Sequence, residues 1–194
     1  MAAREESTVT RAGQCADMTP SLVARLRAGD NGAGTLLEQL YRQPMLRFCW
    51  GYLGRAEDAE DMVQEIFYKV LASAEVPDNF RAWLYRIARN VCLNALRSRG
   101  RRRDALVLPS DSRIAGDTTG DLTRLVKAEF RSRIGHLLAA LPAEQREALR
   151  LRYVEGLSRA EIAYVLELPE AAVKTRLFEG LKKLREHTSL LDDH

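Results

Sequence analysis

From Ser21 to about Arg103, apolar residues recur at helical spacing almost without interruption, and strand signals are absent along the chain. That periodicity points to an all-α fold. The interruptions are short: "AGDNGAG", "GRAE" and "EVPDN" carry the residues of tight connections between helices. Residues 104–123, "DALVLPSDSRIAGDTTGDLT", mix Pro, Gly, Ser, Thr and Asp with no sustained period, the composition of a flexible linker. A second helical run follows from about Arg124 to Glu186. A chain of 194 residues, 46% hydrophobic and 29% charged, can bury one or two modest cores, as two small helical domains require. The expected layout is a flexible tail over 1–17, a helical domain over 18–103, the linker over 104–123, a second helical domain over 124–187 and a short tail over 188–194.

Several function classes are disfavoured. Cys15, Cys49 and Cys92 are odd in number and widely spaced, which suits neither a disulfide framework nor a zinc site, and a reducing cytoplasm fits them. His136, His187 and His194 are isolated, so no metal and no cofactor are expected. No apolar run reaches the roughly 18–20 residues that span a bilayer, and the N-terminus has no apolar signal core, so membrane insertion is not expected.

The net charge of +3 says less than its placement. Basic residues crowd into Arg97–Arg103 and Lys174–Arg185, acidic ones into Glu57–Glu65, a division that suits one polyanionic partner and one basic one. In "DAEDMVQEIFYKVLASAE", Met62, Val63, Ile66, Phe67, Val70 and Leu71 form an inward stripe, while Asp61, Gln64, Glu65 and Tyr68 share another face. Acidic residues in the first turn complement the helix dipole, which alone would explain Asp58, Glu60 and Asp61. It does not explain Gln64 and Glu65, which lie further along.

In "NFRAWLYRIARNVCLNALRSRGRRR", Trp83, Ile87, Val91 and Ala95, with Leu84, Ala88 and Leu96, are expected to face a core. The other side presents Arg86, Arg89, Asn90, Asn94 and Arg97, then continues into Arg101, Arg102 and Arg103. Amides that read bases beside guanidiniums that seek phosphates suit nucleic acid, including separated strands. In "LSRAEIAYVLELPEAAVKTRLFEGLKKLRE", Ser158 and Glu161 form a capping-box pattern, Glu167–Pro169 breaks the helix, and a second helix places Val173, Leu177, Leu181 and Leu184 inward. Ala171, Ala172, Lys174, Thr175 and Phe178 are left on its leading face, as a helix-turn-helix requires to enter a major groove.

Taken in order, "DAEDMVQEIF", "FRAWLYRIARNVCLNALR" and "LPAEQREALRLRYVEGLSRAEIA" resemble bacterial sigma factors of the extracytoplasmic-function type, the two-domain group of the sigma-70 family. The resemblance covers about Ser21 to Glu186. It implies that the protein is not an enzyme but an initiation factor with three partners: core RNA polymerase, promoter DNA and an anti-sigma factor. It also implies a cytoplasmic location, nucleoid-associated when bound to polymerase. Carried onto this chain, Asp58, Asp61, Gln64 and Glu65 match the polymerase-docking helix. Asn79 and Phe80 match the loop that captures a flipped −10 base, and Arg86, Asn90, Asn94 and Arg97 the face along the promoter, with Arg101–Arg103 on phosphates. Ala171, Ala172, Lys174, Thr175, Arg176, Phe178 and Lys182 fall on the −35-reading helix. The chain also departs from the family: Glu167 stands where the turn usually carries Gly, and Glu179-Gly180-Leu181 where Arg-Ala-Arg is common.

Two other classes remain open at this point. A conventional helix-turn-helix regulator explains residues 158–185 but not the Asp61–Glu65 stripe. A magnesium-dependent nuclease or recombinase using "EDAED" is weaker, because no Lys or His supports those carboxylates.

Overall fold

The structure, a computed structural model, describes residues 19–98, 100, 138 and 140–192, with side chains to residue 186. Among them no residue lies in a strand. Helix α1 spans 19–27, followed by α2 (Ala33–Leu53), α3 (Ala56–Leu71) and α4 (Phe80–Ser98). A second body comprises α5 (Ala143–Tyr153), α6 (Arg159–Leu166) and α7 (Glu170–Asp192). Of the short connections expected, "EVPDN" falls between α3 and α4, while "AGDNGAG" and "GRAE" run on into the first two residues of α2 and α3. The tail expected from 188 is a correction: α7 continues to Asp192, since no Gly or Pro follows Gly180 and Leu190–Leu191 favour helix. The tail over 1–17, the linker over 104–123 and Arg101–Arg103 lie outside the described residues.

In α3, Ala59, Val63, Ile66 and Val70 recur every three or four residues and are almost completely buried against α2 and α4. Met62 and Phe67 flank them, and Leu71 at the last turn is exposed. In α4 the deepest residues are Phe80, Leu84, Ala88, Cys92 and Leu96, with Val91 beside them. The apolar stripe is thus turned by about one residue from the expected one, and Trp83, Ile87 and Ala95 pack at its margin. Aromatic rings fill the centre: Phe80 lies 5.6 Å from Tyr41 and 5.7 Å from Trp83, and Phe48 lies 5.2 Å from Tyr85. Cys49 and Cys92 are free and buried. The hydrogen bond between their side chains, aided by burial, holds the Cys49 thiol well above its usual range.

The second body folds on local rules and one close approach. Ser158 Oγ accepts the Glu161 N–H at 3.2 Å, and Glu161 Oε2 accepts the Ser158 N–H at 2.7 Å, completing the expected capping box. Helix α6 ends at Glu167 with φ 57°, so the left-handed turn that usually takes Gly is kept by a glutamate. Val173 and Leu177 turn inward from α7. Gly180 lies so close to α5 that a Cβ there would sit 2.8 Å from Leu149 Cδ1. The two bodies pack against each other, chiefly α4 on α6, and their buried apolar residues form one continuous cluster. Among the described residues no helix is long and apolar enough to cross a membrane.

Candidate nucleic-acid interface

Helix α3 turns Asp61, Gln64, Glu65 and Tyr68 to solvent, and Tyr68 is 74% exposed. Glu65 pairs with Lys69 one turn on at 3.3 Å. Asp58 is a correction: it is buried in the first turn, so its carboxylate is not on the surface stripe, and its position suits the helix dipole instead. Among the described residues no group of three His, Cys, Asp or Glu side chains could hold a metal ion.

At the start of α4, Asn79 is exposed and its Oδ1 accepts the Ala82 N–H at 3.3 Å, which ties the loop to the helix end. Phe80 is a second correction. Its ring is fully buried between Tyr41 and Trp83, so it anchors the loop rather than facing a base. Asn90, Asn94 and Arg97 are exposed along one side of α4, with Arg97 Nη1 donating to Asn94 Oδ1 at 2.9 Å.

The remaining basic residues of α4 meet the second body. Arg89 donates from Nε to Glu147 Oε1 at 2.8 Å and from Nη2 to Oε2 at 3.3 Å, both side chains being nearly buried. Tyr52 donates to the same carboxylate at 2.5 Å. Burial lowers the Arg89 pKa, but the hydrogen bond and charge of Glu147 outweigh it and the net shift is upward. One turn earlier, Tyr85 donates to Glu155 Oε2 at 2.7 Å, and one turn before that Arg81 donates to the backbone carbonyls of Glu155 and Gly156. Burial first, then the neighbouring Glu147 and Glu155 charges, raise the phenols of Tyr52 and Tyr85 well above their usual range. Arg86 pairs with Glu167 and lies 5.1 Å from the Tyr164 ring centroid. Its hydrogen bond to Tyr164, more than the Glu167 charge, raises its pKa.

Arg150 enters the first body from α5. Its Nη2 donates to the carbonyls of Arg47 at 2.8 Å and Phe48 at 2.6 Å, and its guanidinium lies over the rings of Phe48 and Tyr52 at 5.2 and 5.4 Å. Gly51 makes room: a Cβ there would overlap the guanidinium. Adjacent residues of α5 therefore rest on two glycines, Leu149 on Gly180 and Arg150 on Gly51.

On α7, Ala171, Lys174, Thr175 and Phe178 are exposed, Phe178 by 68%, and Ala172 is half-buried. Thr175 Oγ1 donates back to the Ala171 carbonyl at 3.1 Å. Arg176 is already paired with Glu144 of α5 at 2.6 Å, and exposed Lys182 reaches Glu186 at 3.9 Å. Glu179 accepts a hydrogen bond from Gln145 Nε2 at 3.0 Å, which turns it toward α5.

Sequence reasoning missed the contact between the bodies: Gly51, Tyr52, Arg81, Glu147, Arg150, Glu155 and Tyr164. Two signals were present. Gly51 interrupts an otherwise apolar helical run, a mark of close approach, and "EQREALRLRY" carries polar residues around the whole helix yet is buried from Gln145 to Leu151.

Comparison with known proteins gives this arrangement its family. Sigma-70 region 2 matches residues 37–102 and Sigma-70, region 4 matches residues 131–184. The RNA polymerase sigma-H factor of Pseudomonas aeruginosa is 33% identical, with 82% of this chain and 88% of its own covered. The ECF RNA polymerase sigma factor SigW of Bacillus subtilis is 29% identical, with 87% and 96% covered. A solved complex of the sigma factor RpoE with the anti-sigma factor NepR from Bartonella quintana is similar at TM-score 0.55 and 28% identity, covering 77% of this chain and 92% of that one. With both regions matched in order and relatives aligned over most of their length, the chain belongs to the sigma-70 family and is a sigma factor of the extracytoplasmic-function type.

Proposed function

We propose that this sigma factor divides its work between the two bodies. The first, over 18–103, docks on core RNA polymerase through Asp61, Gln64 and Glu65 and opens the −10 element with Asn79, Arg86, Asn90, Asn94, Arg97 and Arg101–Arg103. The second, over 124–187, reads the −35 element with Ala171, Ala172, Lys174, Thr175, Phe178 and Lys182, while Arg176 positions α7 through Glu144. Residues 104–123 link them.

One observation carries this reading. On one small body, an acidic and amide stripe on α3 and an Asn–Arg stripe on α4 are both left open to solvent, one suited to a polymerase surface and the other to DNA. An anti-sigma factor is the proposed regulator, since the similar RpoE is solved with one. Relatives of this kind are not enzymes, and nothing in the proposed roles requires bond chemistry. Co-purification of the chain with core polymerase tests the reading. Retention on core is expected; binding to duplex DNA without any association with core would instead assign an ordinary helix-turn-helix regulator.

A further inference from the structure

We propose that α7 reads the −35 element chiefly by its thymine methyl groups, through an apolar ridge made of Ala171, Thr175 and Phe178. The inference rests on the reading above, that α7 is the helix that enters the −35 major groove.

The ridge follows from helical spacing. Positions i, i+4 and i+7 share one face of a helix, so Ala171, Thr175 and Phe178 stand in line along α7, and all three are exposed, Phe178 by 68%. Thr175 adds a methyl group to this line and no donor. Its one hydroxyl hydrogen is spent on the Ala171 carbonyl at 3.1 Å, within the helix itself. Ala, the Thr methyl and Phe are the side-chain surfaces that meet the C5 methyl of thymine, the apolar group that a base edge shows in the major groove. From Ala171 to Phe178 the helix advances about 10.5 Å at about 1.5 Å per residue, or about three base-pair steps at about 3.4 Å. The ridge therefore covers a window of about four base pairs.

The polar side chains that would read other bases are held back on α5. Arg176 is half-buried and paired with Glu144 at 2.6 Å, and Glu179 accepts a hydrogen bond from Gln145 Nε2 at 3.0 Å. Recognition of guanine by the first or of cytosine by the second would need these side chains free. Gly180 lies under Leu149, and Leu181 packs against the core, so this turn of α7 has no side chain left to offer the groove. Glu170 stands in the first turn, where its charge suits the helix dipole. Lys174 beside the ridge and Lys182 beyond its end are exposed, and as flexible point charges they suit phosphates, which position a helix without specifying a base. What remains on the open face to tell one base pair from another is apolar.

Uracil in place of thymine is the decisive probe, because it removes the C5 methyl alone and leaves every hydrogen-bonding group of the pair in place. Promoter-length duplexes of randomised sequence are selected with holoenzyme reconstituted from the full chain and core polymerase, and the upstream element common to the winners is identified. It should hold thymines, on either strand, within a window of about four base pairs. Replacing a contacted thymine by uracil should weaken binding about fourfold, as expected for one buried carbon group. Phe178→Ala should abolish the uracil effect at one position and keep it at the others; its exposure means that helical content in circular dichroism should be unchanged. Thr175→Ser, which keeps the hydroxyl and deletes the methyl, should do the same at a second position. An upstream element without thymine, or one whose thymines all tolerate uracil, would overturn the methyl readout while leaving α7 as the reading helix. Winners with no common upstream element, from a holoenzyme that does initiate, would refute the reading of α7 itself and the proposal with it.

Discussion

Gly180 reverses an expectation based on helix propensity. Replacing Gly by Ala inside an exposed helix stabilises it by up to about 1 kcal/mol. Here the new methyl would press on Leu149 at 2.8 Å from Cδ1 and 3.2 Å from Cγ, and Leu149 is itself buried. Overpacking of this kind costs about 1–3 kcal/mol, so Gly180→Ala is expected to destabilise the second body in chemical denaturation, with Leu149→Ala in the same chain recovering part of the loss. A stabilised single variant would contradict the close packing. Glu179 belongs to the same contact, through Gln145, which accounts for acid on this stretch of α7 without any role at DNA. Neither role was legible in the sequence, because both depend on where α5 lies. The phenols of Tyr52 and Tyr85 give a second test at this scale. Their pKa values are raised above about 10 in the folded chain, so the protonated phenols stabilise it fully below that pH, and the contribution is lost as pH rises through the folded values. Their contacts are therefore insensitive to pH near neutrality and weaken only in strong alkali. Absorbance titration near 295 nm should show tyrosine ionisation delayed beyond that of free tyrosine, and Tyr52→Phe or Tyr85→Phe should each remove part of the delayed component. An unchanged delayed component in both variants would place these phenols elsewhere.

Helices α3 and α4 show what a sequence reveals about an element and what it withholds. The inward stripe of α3 was legible from spacing, and so was the capping box of α6, because both are set by residues within a few positions of each other. The face of α4 was legible only in part. Its stripe is turned because the helix packs on two sides, with α2 and α3 on one and α6 on another, and no local pattern announces the second neighbour. Likewise Arg89 reads as a surface cation until Glu147, 58 residues away, is brought to it. Charge reversal at Asp61 and Glu65 together is expected to weaken binding to core polymerase with helical content unchanged in circular dichroism, since both are exposed and at most pair with a neighbour one turn away. Undiminished binding by the folded variant would remove α3 as the docking surface. Asn90→Ala with Asn94→Ala should impair promoter opening more than polymerase binding, seen as reduced permanganate reactivity of −10 thymines. Equal loss of both would mean that this face serves the protein contact instead.

For the whole molecule, the all-helical class and the division into two bodies followed from periodicity and from one stretch of linker composition. The closed packing did not. It is made by polar side chains that a sequence reading assigns to solvent, and by two glycines whose purpose appears only when Arg150 and Leu149 reach them. The most direct test of the central claim is transcription in vitro with purified core polymerase and a library of promoter fragments. Added to core, the chain should produce transcripts from a defined subset of start sites that share −10 and −35 sequences, with none from core alone. Transcription indistinguishable from that of core alone across the library, from a folded chain, would contradict the assignment of this protein as a promoter-directing subunit.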